Sequence, residues 1–194
     1  QREAQFLQAN ALAELALVDA SRAAEAVGLL EAYVRAHANT RQVVQAYDDL
    51  ARLQLQKGEV AAVEKTVAAM SKLPQGADRA AVLRAKVFAK QGNFDKAIEE
   101  YDRLIKGAAE GSVRRREAML AKAESLAGKK QYAEAEAAVR AVIKAAGPED
   151  VTTQSAAYNT LGDCLVAAGK PKEALDAYLP TDILYSKDKE QHPR

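Results

Sequence analysis

The feature that most limits what this chain can become is a short break, returning at near-regular intervals, in an otherwise continuous helical pattern of apolar residues. Val82, Ala85, Val87 and Phe88 follow helical spacing, Gln91-Gly92-Asn93 interrupts, and Phe94, Ala97, Ile98, Tyr101, Leu104 and Ile105 resume it. That reads as helix, tight turn, helix. Gly92 can take the left-handed conformation that ends a helix, and Asn93 or Asp95 can help start the next. Lys57-Gly58-Glu59 divides stretches at 41–57 and 59–72, Gly128-Lys129-Lys130 divides 112–128 and 131–146, and Ala168-Gly169-Lys170 divides 152–168 and 171–185. Longer breaks at Leu73-Pro74-Gln75-Gly76, Gly107 to Gly111 and Gly147-Pro148 separate one unit from the next. A first unit fits residues 4–37 with a turn near Asp19-Ala20-Ser21, so the pattern predicts five helix pairs and no strands.

The units also share a register. A small residue in the first helix is followed at three, twelve and sixteen positions by further apolar sites. These are Gly162, Leu165, Ala174 and Tyr178 in the fifth unit; Ala85, Phe88, Ala97 and Tyr101 in the third; and Ala123, Leu126, Ala135 and Val139 in the fourth. The second gives Ala51, Gln54, Val63 and Val67, and the first Glu14, Leu17, Ala26 and Leu30, where Glu14 breaks the small-residue rule. A helix pair of this kind exposes an apolar face that it cannot bury alone, so it is stable only when stacked on its neighbours.

Small-x2-large, a turn glycine and then Ala-x3-aromatic resembles the tetratricopeptide repeat (TPR), most clearly at Asn93-Phe94-Asp95-Lys96-Ala97-Ile98-Glu99-Glu100-Tyr101 and Lys172-Glu173-Ala174-Leu175-Asp176-Ala177-Tyr178. The early aromatic site has Tyr47 and Tyr158 in place of Trp. The resemblance implies an all-α, right-handed superhelical solenoid over residues 1–185, in units of about 4–40, 41–76, 77–111, 112–149 and 150–185, with 186–194 as a tail or the start of a further unit. It also implies a concave groove, lined by the first helix of each pair, that binds a peptide or partner domain. Carried onto this sequence, the groove row is Gln45, Asp48, Arg52 and Gln56, then Arg79, Lys86 and Lys90, then Glu117 and Glu124, then Asn159 and Asp163. Val82 and Leu83 stand where a clamp for a chaperone's terminal carboxylate would want basic or polar groups.

Composition narrows the chemistry. A net charge of +1 gives no general attraction to nucleic acid or anionic membrane. Residues 78–147 hold 15 Lys/Arg against 10 Asp/Glu, so the middle is mildly basic and the two ends mildly acidic. His37 and His192 are far apart and read as exposed residues near chain turns, and the single Cys164 lies in a helix between Leu161 and Leu165 as a small apolar residue. Neither a metal site nor a cofactor site is legible, and no enzymatic role is expected. Arg114-Arg115-Arg116 spans most of a helix turn and reads as a solvated helix start.

The expectation is therefore a non-catalytic scaffold for protein–protein interaction, with an acidic or extended peptide crossing the basic stretch from Arg52 to Lys90. A structural spacer or assembly module, self-associating through terminal helices, is the second reading. A third comes from Tyr158-Asn159-Thr160-Leu161 with Ala168-Gly169-Lys170, which resembles the pentatricopeptide repeat and its RNA binding, although steps of 34 to 39 residues do not keep such a code's spacing. No apolar run approaches the ~20 residues of a membrane span. The reading is of a soluble piece of a longer chain, cytoplasmic or exported after signal removal. Pro180 is expected to break the last helix near Leu179, with Thr181 to Tyr185 continuing as a separate turn.

Overall fold

The computed structural model describes residues 2–147 and 149–180. Among them every regular element is helical: α1 (Arg2–Val18), a 3-10 turn (Ala20–Arg22), α2 (Ala23–Ala36), α3 (Val43–Gln56), α4 (Val60–Met70), α5 (Ala77–Lys90), α6 (Phe94–Gly107), α7 (Val113–Gly128), α8 (Tyr132–Ala145), α9 (Val151–Ala167) and a tenth helix, α10, over 171–180. The expected helix pairs are present, and the boundaries that fall on described residues lie within about three residues of their sequence reading, while the expected end of the last stretch at 185 lies outside the described residues. Helix α10 runs as far as Pro180. The separate turn expected from Thr181 to Tyr185 lies outside the described residues.

The turns inside the pairs are copies of one another. Gly58, Gly92, Lys130 and Gly169 all have φ between 67° and 75°. Each stands seven residues after its unit's small residue. The amide that follows donates back across the helix end in every case: Glu59 to the Gln54 carbonyl, Asn93 to Phe88, Gln131 to Leu126 and Lys170 to Leu165. This is the Schellman closure that a left-handed residue permits. In the fourth unit the left-handed residue is Lys130, while Gly128 is still helical. Asn93 is the N-cap of α6 but makes no side-chain capping bond, and Asp95 instead accepts from Lys129 at 2.6 Å.

The chain divides into two compact bodies, Gln1–Val87 and Phe88–Arg194. In the first, Ala9, Ala13 and Ala16 of α1 pack with Ala23, Ala26, Leu30 and Tyr33 of α2 and with Val43, Ala46, Leu50 and Leu53 of α3. A second cluster joins Ala51 to Val63, Val67 and Met70 of α4 and to Ala80, Leu83 and Val87 of α5. Alanine at these positions lets backbones approach closely, which suits a chain with 5% aromatic residues.

The first unit's register differs from the sequence reading. Glu14 is exposed and Leu17 is 37% exposed, whereas Ala13 and Ala16 are buried. The small-residue position of α1 is thus Ala13, thirteen residues before Ala26 instead of twelve. The added residue belongs to the 3-10 turn, where Asp19 accepts from the Ser21 amide at 3.0 Å and from its hydroxyl at 2.7 Å. His37 is also not simply exposed: its ring lies tilted against that of Tyr33, with centroids 4.8 Å apart, and bonds Gln5 at 3.0 Å, tying the end of α2 to the start of α1.

In the second body, α7 touches α6, α8 and α9, and α8 touches α9. The core gathers Leu120, Ala123 and Leu126, then Ala135, Val139 and Val142, then Ala157, Leu161, Cys164 and Leu165, with Ala174 and Ala177 of α10. Cys164 is buried, as its place between leucines implied, and burial pushes its thiol up to about 11. The arginine run is a correction. Arg115 donates to the Ile105 carbonyl at 2.6 Å, and Arg116 bonds the Gly111 carbonyl and reaches Asp150 at 2.6 Å, with its side chain only 14% exposed. These two arginines fasten the start of α7 to the end of α6, to the preceding loop and to the N-cap of α9. The sequence hides this because two of the acceptors are backbone carbonyls.

Candidate interaction surface

Gln45, Asp48, Arg52 and Gln56 follow each other along α3 at intervals of three and four, so they share one face. The structure joins most of them into a bonded network. Asp48, 6% exposed, receives Arg52 at 2.9 Å and lies 3.9 Å from the Arg79 guanidinium of α5. Arg79 also donates to the Gln45 side-chain oxygen at 2.5 Å, across the 34 residues that separate equivalent positions. The amide of Gln45 in turn donates to Asp49 at 2.7 Å. Gln56 stands apart at the end of α3, with its amide 3.4 Å from the Leu17 carbonyl.

Two members of this network were not legible beforehand. Asp49 is 2% exposed and accepts from Asn10 of α1 at 2.9 Å as well as from Gln45. Burial pushes its carboxyl above the usual range, the two amide bonds pull it down, neighbouring Asp48 raises it and Arg52 lowers it. The clue lay in the repeat step. Once Ala13 is aligned with Ala51, Asn10 falls at the position of Asp48 and Glu14 at that of Arg52. Ala13, Glu14, Leu17, Asp49, Arg52 and Leu53 line a shallow, open depression between α1 and α3.

The network is electrically balanced, with two carboxylates buried beneath two guanidinium groups. The carboxylates orient the arginines, whose side chains remain 47% and 49% exposed at Arg52 and Arg79. What this surface offers outward is donor groups held in place from below. Lys86 and Lys90 are exposed on α5.

In the second body Glu117 and Glu124 of α7 and Asn159 and Asp163 of α9 are all exposed. Asp163 accepts from the Tyr178 hydroxyl at 2.7 Å, which pushes that phenol up to about 12. The row there is acidic, in contrast to the arginine-topped network of the first body. Among the described residues no three His, Cys, Asp or Glu side chains gather as a metal site would require. None of the described helices is long and apolar enough to cross a membrane.

Helix pairs with one repeated turn, small residues at the closest approaches and polar residues along the first helices define a helical-repeat protein. Comparison with known proteins gives the class its name. A family model described as tetratricopeptide repeat matches residues 65–112 and 82–151. A comparison with curated proteins finds no match. Among solved structures, a protein of Podosopora anserina assigned as a kinesin light chain with nearly identical TPR-like repeats superposes with a TM-score of 0.63 at 19% identity, covering 96% of each chain. A point variant of that protein gives 0.66 at 18%, covering 97% of this chain and 96% of that one. MamA of RS-1, as a double mutant, gives 0.53 at 14%, covering 98% of each. At these identities the likeness is one of fold. Residues 65–151 thus match tetratricopeptide repeats, and the described residues have an all-α, TPR-like fold.

Proposed function

We propose that this protein is a non-catalytic scaffold that holds an extended peptide segment of a partner protein against the first helices of its repeats. The fold is one associated with protein binding and not with catalysis. The observation that carries the finer reading is the network of Asn10, Gln45, Asp48, Asp49, Arg52 and Arg79, which spans three successive first helices and leaves two oriented guanidinium groups open to solvent. Oriented donors of this kind suit carboxylates and main-chain carbonyls of a bound segment, because less side-chain entropy is lost when the donors are already held. The favoured ligand is an extended segment carrying acidic side chains, read by Arg52 and Arg79 with Lys86 alongside.

The test is capture of the native partner by the chain and by its Arg52→Glu, Arg79→Glu, Lys86→Glu triple variant. Capture is expected to be lost while the helical circular dichroism signal is kept. Undiminished capture by the folded triple variant would remove this surface from consideration.

A further inference from the structure

Glu14 is an exposed charge that the arginine network of the first body leaves unused. It stands at the position of Arg52 one repeat earlier, and it enters no ion pair with another described residue. Its exposure belongs to the row and not to its place in the first helix. Arg52, Lys86, Glu124 and Asp163 hold the same position in the later repeats, and all are exposed. The same holds for Leu17, whose equivalents Leu55, Ala89, Ala127 and Val166 are each half-buried or exposed.

The depression between α1 and α3 brings these groups together. Ala13, Asp49 and Leu53 are at most 3% exposed and form its floor, while Glu14, Leu17 and Arg52 stand exposed around it. Opposite charges therefore face solvent on neighbouring first helices. On α1 there is a carboxylate with no cation on it. On α3 there is a guanidinium held by Asp48 at 2.9 Å, and the Arg79 guanidinium lies 3.9 Å from that same carboxylate. Between the two signs Leu17 supplies an apolar side chain that is only partly covered.

A segment that is acidic throughout would satisfy the arginines but set a carboxylate against Glu14, and like charges brought together across an interface lower affinity. We infer that the segment bound here is of mixed charge: an acidic side chain on Arg52 and Arg79, a basic side chain on Glu14, and a small apolar side chain between them over Leu17. This ligand class rests on the groove reading proposed above and narrows it. The apolar residue is small because the depression is shallow and its floor is already filled by Ala13, Asp49 and Leu53. Packed helices lie about 8–10 Å apart, and an extended chain advances about 3.3 Å per residue. The basic and acidic residues are therefore about three positions apart. Glu14 selects by repulsion as much as by attraction, since it turns away the wholly acidic segments that the arginines alone would accept.

The experiment is fluorescence anisotropy of short labelled peptides titrated with the whole chain up to about 1 mM. The mixed probe carries Lys and Glu at that spacing with Val between them and Ser elsewhere, made in both sequence orders. A second probe replaces its Lys by Glu, and a third replaces its Val by Ser. The mixed probe is expected to bind in one order, with a loss of about tenfold for the all-acidic probe and about fivefold for the probe without Val. Glu14→Lys, checked for folding by circular dichroism, should reverse the charge preference and bind the all-acidic probe about tenfold tighter than the mixed one. An all-acidic probe bound as well as the mixed one, a preference unmoved by Glu14→Lys, or no binding of the mixed probe in either order overturns the inference. The groove reading survives those results if capture of the native partner still depends on Arg52, Arg79 and Lys86. It falls separately if the triple variant captures that partner undiminished.

Discussion

The ring of Tyr178 lies so close to Gly162 that a methyl group on that glycine would come within 2.2 Å of it. This contact is where α9 and α10 meet, and it explains why the residue of least volume occupies the small position of the fifth unit. A Gly162→Ala substitution forces the ring outward and strains the 2.7 Å bond from its hydroxyl to Asp163. A destabilisation of about 1–3 kcal/mol is expected, of the size seen when a methyl is forced into a packed site. Gly28→Ala is the control. That glycine is exposed within α2 and nothing lies within 4 Å of an added methyl group, so the same change there should stabilise by about 0.5–1 kcal/mol. Chemical denaturation of the two variants beside the parent chain measures both signs.

Lys130 has a φ of 67°, in the place where the three sister turns have glycine. A lysine in this region carries the Cβ clash that glycine lacks, at a cost of about 1–2 kcal/mol, partly offset because glycine loses more backbone freedom on folding. Lys130→Gly is therefore expected to raise stability by about 0.5–1 kcal/mol, and Gly92→Lys to lower it by at least as much. Equal and opposite shifts in denaturation midpoint would support a turn geometry shared by the two units. A neutral Lys130→Gly would mean that the lysine is unstrained there.

Arg116 joins the start of α7 to the N-cap of α9 through its 2.6 Å pair with Asp150. The Thr153 side chain, and after it the Thr153 amide and Arg116, hold the Asp150 carboxyl below its ordinary range against the opposing effect of burial. A depressed folded-state pKa contributes stability that is present above the unfolded value and is lost as pH falls through the folded value. Arg116→Ala should cost about 1–3 kcal/mol near neutral pH. That deficit should narrow in acid, where Asp150 is protonated in both proteins. A deficit independent of pH would assign the role of Arg116 to its carbonyl bond at Gly111 alone.

Most of the helix order was legible because glycine at positions 58, 92 and 169 marks the turns directly, and because small residues at Ala51, Ala85, Ala123 and Gly162 set the register. What was not legible depended on events that sequence spacing does not record. The left-handed Lys130 carries no glycine to announce it. The register of α1 slipped because the 3-10 turn after Asp19 adds one residue, so the reading fell on Glu14 when the buried neighbour Ala13 was the right choice. Arg115 and Arg116 read as a solvated run because two of their acceptors are the carbonyls of Ile105 and Gly111. Of the proposed surface, Gln45, Asp48, Arg52 and Arg79 were all placed beforehand. Their buried partners were missed because Asn10 and Asp49 come together only through the corrected register.

Asn10 and Asp49 offer the sharpest test of that surface. Asp49 is buried and its carboxyl sits above the usual range, chiefly because burial disfavours its charge, while the amides of Asn10 and Gln45 lower it. A raised folded-state pKa means that this group's contribution favours folding below the unfolded value of 3.8 and turns against it as pH rises through the folded value. Removing a donor makes the charged form harder still to bury. Asn10→Ala should therefore destabilise the first body by about 1–2 kcal/mol near neutral pH, the cost of a lost bond to a buried charge. The deficit should shrink towards about pH 4, where the carboxyl is increasingly protonated and depends less on the amide. A change of Asn10→Asp should be worse than Asn10→Ala near neutral pH, since it sets a second carboxylate against Asp49, and it should recover more on acidification. Thermal melts at the two pH values decide the matter, and equal deficits at both would mean that Asn10 acts by packing and does not sustain the charge of Asp49.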